Sequence, residues 1–510
     1  MQTLVLDAIR TETRPGRTTV RYEYDPTGEL ARFFSSDPFF VSYESDVSAV
    51  PDAILAIPWL ANVCPVAWVA GADVEVPTID ATFHESLRRV QEAMASLYPE
   101  LVEGGAVRAD EVVHPLGDGS RYASARGDGG RISSSPEGLS SDDPSDPTSA
   151  AADPATPANR PSPGGAGAEV HTSQSPGERP PVGDDHAAMA DVGDGRFDES
   201  ALLFTGGVDS LTTYIRHRSE DPYLISMNGA DTALDDRETW RRNRAIVESF
   251  ADDHGLEPLF VETDMHGFLD GSMLRAHYAR YLDSTWWASV QHGLGLSGIC
   301  APLAYEHGIG DLYIAATHTS DFGEAWGSHP AIDNQVAWSG TRTHHDGYEL
   351  SRQQKIERIA QYVDAEAPGL TIRSCHSGDG GGNCSRCEKC ARTIFGLMLA
   401  GLDPERHGYE VDDASFETFR ERFEAGDWRL GADERFMWQD LKDHLDPDAE
   451  YPHEGAAAFA EWLASTDLDE LVDRSADPVL ARYARLVGRN VPLPVYRLFV
   501  PVYARLRRLT

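Results

Sequence analysis

Lysine is what this sequence most lacks. It occurs only at Lys355, Lys389 and Lys442, and every other fixed positive charge in the 510 residues is arginine. Basic residues number 44 against 83 acidic ones, so 44 − 83 gives a net charge of −39. That deficit argues against a protein whose main task is to grip nucleic-acid phosphates. An acidic, lysine-poor surface fits the cytoplasm of a salt-loving cell such as a halophilic archaeon. At 1 M salt the Debye length falls to about 3 Å, and self-repulsion is screened. The plainer alternative is an ordinary acidic protein.

Long apolar runs are also missing. The longest, over 53–69, is broken by Pro58, Asn62 and Pro65 and is too short to span a bilayer. The start, Met1-Gln2-Thr3-Leu4-Val5-Leu6-Asp7, has neither the charged nor the apolar region of a secretory signal. Cysteine is scarce, at positions 64, 300, 375, 384, 387 and 390. The last four are crowded together, which suggests a metal site in a reducing compartment more than a disulfide scaffold. With 41% hydrophobic residues the chain can still build cores, and its length allows about two to four domains.

Residues 1–114 read as a small α+β unit, with strands over 3–10, 17–24 and 39–43 and an amphipathic helix over 82–97. From 115 to 197 the composition shifts to Gly, Ser, Pro, Ala and Asp, which predicts a disordered acidic linker. Over 198–402 strand patterns (201–204, 223–227, 259–263, 312–316) alternate with helix patterns (208–217, 237–254). Alternation of that kind predicts right-handed βαβ units and a parallel sheet. The region 403–510 reads as helical, with candidates over 415–424, 434–444, 454–464 and 478–487. The locally basic, apolar stretch 496–508 reads as a docking helix rather than a membrane anchor. The expected class is α/β: a parallel-sheet domain with an N-terminal α+β domain, a linker and a helical C-terminal region.

The most informative segment is Ala201-Leu202-Leu203-Phe204-Thr205-Gly206-Gly207-Val208-Asp209-Ser210. An apolar strand runs into two glycines and then a helix, so backbone N–H groups and the helix dipole converge where an anion would sit. Thr205 and Ser210 add hydroxyl donors, and Asp209 beside a phosphate calls for a cation such as Mg²⁺ between them. The plain alternative is a helix start after a tight turn. No Gly-Lys-Ser/Thr or G-x-G-x-x-G is present. The segment resembles the Ser-Gly-Gly-x-Asp-Ser loop of the PP-loop ATP pyrophosphatases, with Thr205 in the first position. The resemblance implies a Rossmann-like fold of the adenine nucleotide alpha hydrolase type, a loop that holds the pyrophosphate of ATP, and adenine contacts at the end of the second strand near Met227.

Cys375, Cys384, Cys387 and Cys390 form C-x₈-C-x₂-C-x₂-C. Two successive C-x₂-C turns bring three thiolates together and a Gly-rich loop can return the fourth, which suits Zn²⁺; an iron–sulfur cluster is the alternative. Arg373, Arg386, Lys389 and Arg392 stand where they could neutralise the thiolates. Together with the glycine turn, over about 199–400, this spacing is similar to the 7-cyano-7-deazaguanine synthase family. Its members convert a 7-carboxy-7-deazaguanine to the nitrile with ATP and ammonia.

That resemblance implies catalytic roles for Asp209, Ser210, Asp321 and Lys355. Asp209 and Asp321 would engage Mg²⁺, and Lys355 would offset phosphate charge. Substrate-side segments depart from the family, since Asn228-Gly229-Ala230-Asp231 and Gly327-Ser328-His329-Pro330 replace its motifs. The expected function is therefore AMP-forming adenylation of a small acid or nucleobase-like substrate, followed by ammonia or another nucleophile. A tRNA-thiolating enzyme, with Cys300 as the candidate thiol, and a non-catalytic nucleotide-binding module are the alternatives. The arrangement leaves room for a homodimer. His344, His345 and Asp346 are candidates for proton transfer, with a solvated loop as the plain reading. Trp286 and Trp287 read as core or lid aromatics.

Overall fold

The structure is a computed structural model that describes residues 2–116, 197–278, 281–282, 284–375, 382–428, 430–446, 449, 451, 453–474 and 495. The expected linker falls almost wholly outside these residues. The helix expected over 478–487 and the whole of 496–508 fall outside them too.

Eleven strands form one sheet. They are β1 (Thr3–Arg14), β2 (Arg17–Tyr24), β3 (Phe40–Tyr43), β4 (Asp73–Asp80), β5 (Val107–Val113), β6 (Glu199–Leu203), β7 (Tyr223–Asn228), β8 (Pro258–Thr263), β9 (Ile309–Ala315), β10 (Ala337–Trp338) and β11 (Thr341–Asp346). Their order is β10-β11-β9-β6-β7-β8-β3-β2-β1-β4-β5. The run β11-β9-β6-β7-β8 is parallel throughout. Numbered within that run, its order is 3-2-1-4-5, with β6 as the first strand and a switch of direction between β6 and β9.

These strands are covered on both faces, as parallel sheets are. On β6, Ala201 and Leu203 join one core while Leu202 joins the other; on β7, Tyr223 and Ile225 oppose Leu224 in the same way. The helices that follow are fixed by local signals. Asp236 accepts from Thr239 N–H at 3.0 Å at the start of the Arg237–His254 helix, and Gly255 ends it at φ 68°. Ser351 and Gln354 form a reciprocal capping box on the Arg352–Ala365 helix.

The first 114 residues do not stand apart. β3 pairs antiparallel with β8, Val41 opposite Thr263, so the boundary expected at 114/198 lies inside one sheet. Glu44 takes both Arg17 and Arg244 at 2.6 Å across that joint. The buried Ile57–Val69 helix packs on His292–Ile299 at Gly298, where a Cβ would lie 2.2 Å from that of Ala61. Sequence patterning had shown neither β4 nor β5, and the polar 343–347 stretch belongs largely to β11 rather than to a solvated loop. The C-terminal helices Asp413–Ala425, Ala432–Asp443 and Glu454–Ser465 pack Phe416, Phe423, Trp438 and Phe459 into the second core. Among the described residues no helix is long and apolar enough to cross a membrane.

Candidate functional site

In open α/β sheets, ligands bind outside the carboxyl ends of the strands, at the point where strand order reverses. Here that point is the end of β6, and Thr205-Gly206-Gly207 occupies it. Gly206 takes φ +73°, a left-handed conformation that costs glycine nothing. Gly207 caps the Val208–His217 helix without a side-chain hydrogen bond and bridges to Arg373. Ser210 Oγ donates to Gly207 O at 3.1 Å and accepts from Thr205 N–H at 3.4 Å, which braces the turn.

The charges at this turn come from one helix. Arg352 Nη1 donates to Asp209 Oδ2 at 2.8 Å, and Lys355 Nζ to Asp209 Oδ1 at 3.3 Å. Lys355 also donates to Ala316 O at the end of β9, and its side chain is only 1% exposed. Burial lowers the Lys355 amine from its ordinary value, against the pull of Asp209. Burial would raise the Asp209 carboxyl, but Arg352 and Lys355 outweigh it and hold it low. The structure thus brings together five residues expected at the turn, Thr205, Gly206, Gly207, Asp209 and Ser210, with Lys355.

Asp321 lies at the same sheet edge, in a short turn after β9, but it is exposed and its N–H donates to Thr319 Oγ1 at 3.3 Å. Met227 is half-buried near the end of β7. Its neighbour Asn228, which the sequence marks only as part of a departure from the family's motif, is fully buried, donates to Glu262 at 3.3 Å and leaves Oδ1 without a partner. A buried amide at a strand end has no sequence signature of its own.

The four cysteines converge as the spacing predicts. Their sulfur atoms all lie within 4.8 Å of one another, with Cys375–Cys390 at 3.4 Å and Cys384–Cys390 at 3.8 Å. A tetrahedron with Zn–S of about 2.3 Å has edges of about 3.8 Å, so the set fits a metal ion such as zinc. Arg392 does not serve the thiolates; buried, it pairs with Glu388 at 3.4 Å. Arg373 joins the two sites instead. Its N–H donates to Gly206 O at 3.0 Å, Nη1 to Thr205 O at 3.5 Å and Nε to Cys375 O at 3.4 Å, and Nη2 meets Asn243. The cysteine cluster is therefore tied to the glycine turn through Arg373.

No protein-family model and no curated protein matches this sequence.

The remaining candidates are spent inside the fold. His345 is buried on Asp333 at 2.7 Å, His344 pairs with Asp311, and Asp346 takes Arg216 and His217 at 3.0 and 3.2 Å. Cys300 is fully buried and its thiol donates to Leu296 O at 3.4 Å.

Proposed function

We propose that this chain binds ATP at the Gly206–Gly207 turn and transfers AMP to a carboxylate or amide oxygen of a small acid or nucleobase-like substrate. The substrate oxygen attacks the α-phosphorus, the bond from that phosphorus to the oxygen bridging to the β-phosphate breaks, and pyrophosphate leaves. Ammonia or another nucleophile then attacks the activated carbon, AMP departs, and the incoming group loses a proton. A carboxylate is a poor electrophile because its leaving group would be oxide; AMP removes that obstacle.

The observation that carries the reading is the glycine turn on the first strand of a parallel 3-2-1-4-5 run, faced by Arg352 and Lys355 beyond the fifth strand. It supports a PP-loop fold. Gly206, Gly207 and Ser210 would hold pyrophosphate, Asp209 and Asp321 would hold Mg²⁺, and Lys355 and Arg352 would meet the phosphate charge. The free Oδ1 of Asn228 suits the amino group of adenine, beside the contacts expected at Met227. Zinc on the four cysteines would be structural, because Arg373 passes its support to the turn.

Thiolation is disfavoured, since the thiols of Cys64 and Cys300 are buried and burial raises both. The test is incubation with ATP, Mg²⁺ and a panel of acids, with pyrophosphate and AMP as readouts. Release that survives Asp209→Asn at the wild-type rate would sink the assignment of the turn. ATP binding without turnover on every acid would leave a nucleotide-binding module.

A further inference from the structure

A cleft of about 420 Å³ opens at the same sheet edge, two strands away from the glycine turn. That volume suits a small ligand. Its wall follows β8, and His266 fastens it to the end of β7 by bonding Ala230 O at 3.0 Å. At about 4.8 Å per strand, the ends of β6 and β8 lie about 10 Å apart. This is a span that a nucleotide seated over β7 could bridge.

The lining has a consistent chemistry. Leu269, Leu274 and Leu282 give an apolar side, and Trp287 adds a ring packed edge-on to His266 at 4.5 Å. Trp286 also lines the cleft, and its Nε1 is buried with no hydrogen-bond partner. Residues Trp287–Gln291 form a π-helical turn, a distortion that often accompanies a binding site. Arg275 supplies the fixed positive charge. It has a protein partner already, but five N–H donors leave it able to serve a ligand as well. Among the described residues lining the cleft none is acidic.

We propose that this cleft holds the acid to be activated, and that the acid is amphipathic: an apolar or ring body against the leucines and Trp287, and a carboxylate at Arg275 and the Trp286 N–H. The inference rests on the adenylation reading for the fate of the acid, but not for its binding.

Benzoate and hexanoate serve as probes, with succinate and guanine for comparison. Binding to the full chain is measured calorimetrically in the absence of ATP, and pyrophosphate release in its presence. Benzoate or hexanoate should bind at least about tenfold more tightly than succinate or guanine. Arg275→Gln and Trp286→Phe should each weaken that binding about tenfold or more, with Arg275→Lys restoring part of it. Circular dichroism checks that the variants fold, and the two substitutions address the cleft independently. Tighter binding of guanine than of benzoate, or benzoate binding unchanged in both variants, overturns the proposal. So does acid-dependent pyrophosphate release that is undiminished in both. Arg275-dependent benzoate binding without pyrophosphate release with any acid keeps the cleft and overturns the adenylation reading instead.

Discussion

Replacing Asp209 by Asn should destabilise the protein, and replacing its partner Lys355 by Met should cost clearly less. Asp209 is 24% exposed and shared by two cations, and Lys355 is 1% exposed. Removing one partner of a buried pair leaves an uncompensated charge, at a cost of about 3–5 kcal/mol. Asn keeps one acceptor oxygen and the site is partly wet, so about 2–3 kcal/mol is expected here. Lys355→Met removes the buried charge itself. Asp209 keeps Arg352 at 2.8 Å and the thioether fills most of the vacated length, but the buried Ala316 O loses its donor, so the change should cost about 1 kcal/mol, less than Asp209→Asn.

The pH dependence follows from the lowered Lys355 amine. Between that lowered value and the ordinary 10.5, the unfolded chain binds more protons than the folded one, so stability rises with pH across that window. Loss of the Asp209 carboxylate lowers the amine further. The deficit of Asp209→Asn should therefore be largest near neutrality and shrink in alkali, and Lys355→Met should lack this slope. The deficit should also fade in acid, once the depressed Asp209 carboxyl of the wild type takes its proton. Guanidinium denaturation followed by tryptophan fluorescence, at about pH 7 and pH 10, measures each value. The reasoning fails if Lys355→Met costs as much as Asp209→Asn, or if the Asp209→Asn deficit grows in alkali. Both variants should lose pyrophosphate release.

Elemental analysis should find one zinc per chain, and stripping it or making Cys390→Ser should weaken ATP binding as well as lower the melting temperature. Iron with acid-labile sulfide would overturn the zinc assignment. Arg373→Met should leave metal content intact yet weaken ATP about tenfold, roughly the worth of one charge-assisted hydrogen bond; equilibrium dialysis against ATP tests this. Gly206→Ala, at φ +73°, should cost about 1 kcal/mol and reduce ATP affinity, by the same denaturation and dialysis measurements. At His217, burial opposes protonation, but the hydrogen bonds the ring donates to Asp346 and Glu220 outweigh it and raise the ring above 6.5. Its stabilisation is full below 6.5 and is lost as pH rises through the raised value, so His217→Gln should flatten that fall in pH-dependent melting.

The parts of the fold legible in the sequence were those whose signals are local. The helices Val208–His217 and Arg237–His254 and the strand Arg17–Tyr24 matched their expected bounds, because apolar period, caps and flanking turns all lie within the segment. β11 was not legible: it buries Thr341, Thr343 and Asp346, so its alternation is polar on both faces. The β3–β8 joint was hidden too, since pairing between residues more than two hundred positions apart leaves no trace in either strand. The same division holds at the site. The glycine turn and the cysteine spacing are local patterns, whereas the roles of Arg373 and Arg392 depend on partners far along the chain. Proximity in sequence made both look like counter-charges for the thiolates, and the fold assigns them other work.

The glycine at 340 brings Leu116 and Phe197 together. A Cβ there would lie 2.6 Å from Phe197 and 3.0 Å from Leu116. The two therefore meet at one point, on either side of a covalent connection of eighty residues. Residues 2–116 carry β3 and residues 197 onward carry β8, each an unpaired edge without the other. The two pieces are thus natural candidates for fragment complementation: separate polypeptides, neither able to close its sheet alone, would reassemble along that seam into one folded unit.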